Sequence, residues 1–125
     1  MAKLIYNDKV YTSFFDAVDK YVLHDRQVSI AISSKPTFKG STFEQLAPPR
    51  WLRDGYKKTK KITKEDFERI YYEEVLSKLD PILVYMELKG KVLLCWEKRG
   101  YFCHRHLVMK WLKESLGEES IGGEL

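Results

Sequence analysis

Residues 91–112 read KVLLCWEKRGYFCHRHLVMKWL. Val92 to Trp96 is an unbroken apolar run, the pattern of a strand buried on both faces. Gly100 marks a turn, and an amphipathic helix follows. Along the strand, side chains alternate. Val92, Leu94 and Trp96 share one face; Leu93, Cys95 and Glu97 share the other. Cys95 and Glu97 therefore point the same way at the strand's C-terminal end, where open α/β sheets bind ligands. At 100° per residue, Leu107, Val108, Trp111 and Leu112 cluster around His104, which is expected in the middle of the buried face. Arg105 falls on its edge and His106 on the solvent side. Cys103 stands at the first turn, where free N–H groups and the helix dipole favour an anion or a thiolate. Cys95, Glu97, Cys103, His104 and Arg105 are thus drawn together.

The rest of the chain supports one α/β domain over residues 1–125. Val10–Ser13 reads as a strand and Phe14–Val22 as a helix. Leu4–Tyr6 is a short β-type piece in an N-terminal extension, residues 1–9. Val28–Ser33 is a second strand, leading to Lys35 at the same sheet edge as Cys95 if the strands are parallel. Thr63 caps a helix whose apolar face holds Phe67, Ile70, Tyr71, Val75 and Leu79, and Asp80-Pro81 starts another. Residues 37–62, with Gly40, Pro48, Pro49 and Gly55, read as an irregular basic loop. The tail, residues 117–125, is expected to fray or to lay Ile121 on a sheet edge. The expected architecture is a three-layer domain: a small, mostly parallel sheet with helices on both faces.

Composition narrows the function classes. With 125 residues, 44% hydrophobic and 14% aromatic, the chain can bury one core. It holds no apolar run of membrane-spanning length. MAKLIYNDKV lacks a signal-peptide core, so a cytoplasmic location and two reduced cysteines are expected. A net charge of +4 suits an anionic partner only weakly. His24, with no partner residue nearby, reads as surface or structural.

The stretch WEKRGYFCHRHLVMKWL, with the strand before it, resembles the signature of domain-of-unknown-function family 488 (DUF488). Its small phage and bacterial members carry a Cys-aromatic-Glu-Lys segment, here Cys95 to Lys98. A Cys-His-Arg-His-Leu helix start follows, here Cys103 to Leu107. VYTSFF, SIAIS, QLAP and YYEEVLSKLDP also look similar, so the resemblance covers about Val10 to Leu116. It departs at Arg99-Gly100-Tyr101-Phe102, where a proline and an acidic residue are expected before the phenylalanine. The resemblance implies an α/β three-layer fold and supplies no reaction.

Three chemistries compete. Zinc is disfavoured: Cys95, Cys103, His104 and His106 are suitable donors, but the spacing matches no zinc finger, adjacent Cys103 and His104 rarely reach one ion together, and His106 should face away. No metal or cofactor is therefore expected. In thiol chemistry Cys103 is the nucleophile, His104 or Glu97 moves a proton, and Cys95 resolves. Against this, Cys95 can be a buried hydrophobe and His104 a core histidine. In anion binding, Arg105, Lys35, Lys98 and Arg99 hold a phosphate at the helix start, or Arg105 simply pairs with Glu97. Arg53, Lys57, Lys58, Lys60 and Lys61, interleaved with Trp51 and Tyr56, are candidates for nucleic acid; a solvated loop with its aromatics on the core is the favoured alternative. The sequence expectation is a pocket for a phosphate-bearing ligand in nucleotide or nucleic-acid processing. The alternatives are a cysteine-dependent enzyme on a small molecule and a non-enzymatic protein-binding role, for instance in a phage.

Overall fold

The structure is a computed structural model and describes residues 7–18 and 22–125. Leu4–Tyr6 and residues 19–21 of the expected Phe14–Val22 helix lie outside the described residues. Five parallel strands form one sheet: β1 (Val10–Phe14), β2 (Gln27–Ser29), β3 (Ser41–Thr42), β4 (Val92–Cys95) and β5 (Ile121–Glu124), in the order β3-β2-β4-β1-β5. β4 is central and all four of its residues are buried, which is why its sequence is continuously apolar rather than alternating.

The two faces of β4 feed two cores. Leu93, with Val10, Val28 and Ile30, packs beneath α2 (Arg50–Lys57), α3 (Lys64–Glu74), α4 (Pro81–Leu88) and α5 (His104–Leu116). Val92 and Leu94 face the smaller cluster of Phe15, Val18 and Val22, which includes the short helix α1 (Phe15–Val18). The result is the three-layer α/β domain, with one helical layer much thicker than the other.

Local signals set the helix starts. Thr63 accepts a hydrogen bond from the Asp66 N–H at 3.1 Å, and Asp80 accepts one from Ile82 N–H at 2.9 Å with Pro81 opening α4. Each satisfies a donor that the first helical turn leaves unpaired.

Several boundaries differ from the sequence reading. β2 ends at Ser29, not Ser33. Ser29 Oγ takes hydrogen bonds from Ala31 N–H at 3.4 Å and from Ser34 Oγ at 2.9 Å, and such local side-chain bonds compete with the ladder. Residues 37–62 are not irregular: they hold β3, a 3-10 turn at Glu44–Leu46 and the helix α2. Gly55 reads as a breaker, yet it lies inside α2 because Ile62 packs where its Cβ would stand. Residues 117–125 do not fray. Ile121–Glu124 forms β5, and Leu125 N–H donates to Thr12 O at 2.8 Å. No helix among the described residues is long and apolar enough to cross a membrane.

Candidate functional site

β4 and α5 converge at the carboxyl edge of the sheet. Cys95 is the last residue of β4. Cys103 is the N-cap of α5, with extended backbone (φ −148°, ψ 148°). Between them Gly100 takes φ 89°, a left-handed conformation that glycine adopts without a Cβ clash. The loop so formed brings the two sulfurs together, and Cys95 and Cys103 are joined as a disulfide. The expected pair of reduced thiols is therefore corrected. Sequence reasoning took the redox state from a cellular compartment, whereas the fold sets the pairing by closing an eight-residue separation.

His104 is 8% exposed. Burial pulls its pKa down to about 4, further lowered by Arg105, and only partly opposed by its bond to Ile30. The ring is neutral at pH 7. Its Nε2 lies 2.7 Å from Ile30 O. A carbonyl only accepts, so Nε2 carries the proton and Nδ1 keeps a free lone pair. That lone pair lies 3.6 Å from Cys103 Sγ.

Arg105 is fully buried, not on the edge of a face. Its Nε donates to Glu124 Oε1 at 2.7 Å. Its Nη1 donates to Glu97 O at 2.7 Å and to Cys95 Sγ at 3.0 Å. The expected pairing with the Glu97 carboxylate is thus replaced by the Glu97 carbonyl and by Glu124, a partner carried in by β5. The Glu97 carboxylate pairs instead with Lys57. Arg105 lowers the Glu124 pKa against the opposing effect of burial. Sequence reasoning allowed Ile121 a sheet edge but gave Glu124, three residues further along the same strand, no role.

A cleft of about 50 Å³ opens above the cysteines, lined by Cys95, Cys103 and His104 on its floor and by Arg53, Tyr56, Lys57 and Glu97 around them. Arg53 and Lys57 come from α2. Lys57 has its pKa lowered by burial and by Arg53. The volume is well below the roughly 300 Å³ that a drug-sized ligand needs, so the cleft as it stands admits a small molecule or the reactive end of a larger one.

The expected phosphate set is not assembled. Lys35 Nζ reaches Asp16 at 3.0 Å. Arg99 reaches Leu125 O at 2.6 Å and Glu124 at 3.6 Å. Lys98 is exposed outside the cleft lining, and Arg105 commits Nε and Nη1 to protein partners while its buried Nη2 has no hydrogen-bond partner among the described residues. The basic group also divides: Arg53 and Lys57 face the cleft, Lys58 leans on Asp54 at 3.7 Å, and Lys60 and Lys61 are exposed. Among the described residues, Cys95, Cys103 and His104 are the group whose donor atoms, within 4.8 Å of one another, could hold a metal ion once the disulfide is reduced. His106 has its pKa lowered by burial and lies 4.0 Å from Glu124, away from that group.

A family model described as the active DUF488-N3 subclade (DUF488-N3a) matches residues 19–116. No curated protein and no solved structure matches the chain significantly.

Proposed function

Because the chain belongs to the DUF488 family, in a subclade described as active, we propose that it is a cysteine-dependent enzyme performing thiol–disulfide exchange on a small anionic molecule. One observation carries this reading: Cys95 and Cys103 are bonded at the floor of an open cleft, each with a different polar partner. Two buried cysteines serving only as core would need neither.

The asymmetry assigns the roles. Arg105 Nη1–H already points at Cys95 Sγ, and a buried cation stabilises a thiolate there. Cys95 is therefore the better leaving group, and attack falls on Cys103. An external thiolate forms a bond to Cys103 Sγ as the Cys95–Cys103 bond breaks, and the electron pair goes to Cys95. A second thiolate of the same external dithiol then attacks its own sulfur in the mixed disulfide and expels the Cys103 thiolate. The protein gains two electrons and the dithiol becomes a disulfide.

In reverse, Cys103 attacks a substrate disulfide as a thiolate, which the helix N-terminus stabilises and whose thiol proton goes to solvent, while the neutral His104 Nδ1 beside it can accept a hydrogen bond from the thiol. Cys95 then closes on Cys103 and releases the second substrate thiolate. Arg53, paired with Asp54 at 3.0 Å, and Lys57, paired with Glu97, favour a substrate carrying a carboxylate, sulfonate or phosphate that takes the place of those partners beside the reacting sulfur.

Trapping tests the assignment. Reduced Cys95→Ser mixed with glutathione disulfide should hold one glutathione on Cys103, read by intact mass. Cys103→Ser should hold little on Cys95. Equal trapping on both variants, or none on either, removes the proposed roles.

A further inference from the structure

We infer that the reduced protein binds one thiophilic divalent cation of the zinc class through Cys95 Sγ, Cys103 Sγ and His104 Nδ1, with a fourth position open to the cleft. Sequence reasoning set zinc aside because the spacing matches no zinc finger and adjacent residues rarely reach one ion together. Cys103, however, is not helical. As an extended N-cap it sends its side chain back beside that of His104, and the three donor atoms come within 4.8 Å of one another.

The geometry suits a tetrahedral ion. With zinc–sulfur and zinc–nitrogen bonds of about 2.3 and 2.0 Å, the sulfur–nitrogen edge of such a site is about 3.5 Å and the sulfur–sulfur edge about 3.8 Å. Cys103 Sγ and His104 Nδ1 stand 3.6 Å apart. The Cys95 sulfur, within 4.8 Å of His104 Nδ1, is the donor that must move, and it is free to do so once it is no longer bonded to Cys103.

The surrounding shell is also in place. A histidine that ligates metal usually donates its other ring N–H to a carbonyl or carboxylate, which fixes its tautomer. His104 Nε2 does this to Ile30 O at 2.7 Å. Arg105 Nη1 donates to Cys95 Sγ at 3.0 Å, a bond that a metal-bound thiolate retains. Two thiolates neutralise a divalent ion, and Arg105 is already balanced by Glu124 at 2.7 Å. The buried site thus carries no net charge, which limits its desolvation cost. Three protein ligands with an open fourth position are the arrangement of catalytic rather than structural zinc, and here that position faces Arg53, Lys57 and Glu97 across the cleft. Disulfide and metal are alternative states of the same side chains. This inference stands apart from the thiol-exchange proposal, which is measured in metal-free buffer.

The experiment uses the whole protein, reduced by a phosphine, freed of metal by a chelator and then titrated with Co²⁺ under argon. The expected result is saturation at one equivalent, with the visible ligand-field bands of a four-coordinate ion and a thiolate charge-transfer band, both lost when Zn²⁺ is added. Protein oxidised beforehand at the cysteine pair should show neither band. Cys95→Ser and Cys103→Ser should each lose the stoichiometric step. Should reduced wild-type protein show no saturable binding, the inference is wrong. It is equally wrong if oxidised protein binds as well, or if binding survives the combined Cys95→Ser and Cys103→Ser replacement.

Discussion

Replacing Arg105 by lysine keeps one positive charge but removes the planar fork. Arg105 makes three hydrogen bonds from two nitrogens, to Glu124 Oε1, Glu97 O and Cys95 Sγ. A lysine ammonium in the same tunnel reaches one of them, and the natural choice is Glu124. Two charge-assisted bonds are lost at about 1.5 kcal/mol each, so Arg105→Lys should destabilise the fold by about 3 kcal/mol. The unfolding entropy of a 125-residue chain is about 0.26 kcal/mol/K, which converts that loss to a fall of about 11 °C in Tm. Differential scanning calorimetry on oxidised protein, with urea melts as a second measure, reads it directly. Arg105→Met should cost at least as much, because Glu124 then keeps Thr12 Oγ1 at 3.3 Å, Arg99 at 3.6 Å and His106 at 4.0 Å but loses its buried cation. A fall of less than about 4 °C in Arg105→Lys would correspond to about 1 kcal/mol. It would refute the view that this buried fork ties β5, the Cys95–Cys103 loop and α5 together.

Three further outcomes are expected. His104 has a folded pKa of about 4 against a model value of 6.5. The unfolded state therefore binds more protons between these values, and stability present above pH 6.5 is lost as pH falls towards 4, by about 3 kcal/mol in all. Urea melts of wild type against His104→Gln should show that slope flattened in the variant, while His106→Gln, whose pKa is lowered less, should keep most of it. The Arg53→Gln, Lys57→Gln double variant should react about tenfold more slowly with a dianionic aromatic disulfide, and no more slowly with a neutral dipyridyl disulfide; equal slowing of both would mean the cations do not select substrate. Thr63→Ala should cost about 1 kcal/mol through loss of the α3 cap, measurable as a drop of about 4 °C in Tm.

Much of the fold was legible because its signals were local. Val92 to Cys95 could only be a buried strand, and Thr63 and Asp80-Pro81 announced their helices. Cys95, Glu97, Cys103 and His104 do line one cleft, since the strand ends at Cys95 and the helix opens just after Cys103 at the same sheet edge. The misses were tertiary. α2 was hidden by Gly55, whose reason is the Ile62 side chain packed against it. That concealed the place of Arg53 and Lys57 over the site. Arg105 was assigned to Glu97 because the two are near in sequence, while its true carboxylate, Glu124, arrives through a parallel strand pairing of β5 with β1. No periodicity in IGGE announces a strand. Cys103 Sγ and His104 Nδ1 come within 3.6 Å for a related reason: a cap residue does not follow helical phase.

The central claim is that Cys95 and Cys103 exchange electrons as one unit. Wild-type protein should be equilibrated across a series of dithiol and disulfide ratios, quenched with an alkylating reagent and weighed intact. The account predicts only unmodified and doubly alkylated protein, interconverting reversibly along a two-electron curve in which a tenfold change in equilibrium constant spans about 30 mV. Accumulation of singly alkylated protein, or doubly alkylated protein at every ratio, would contradict it.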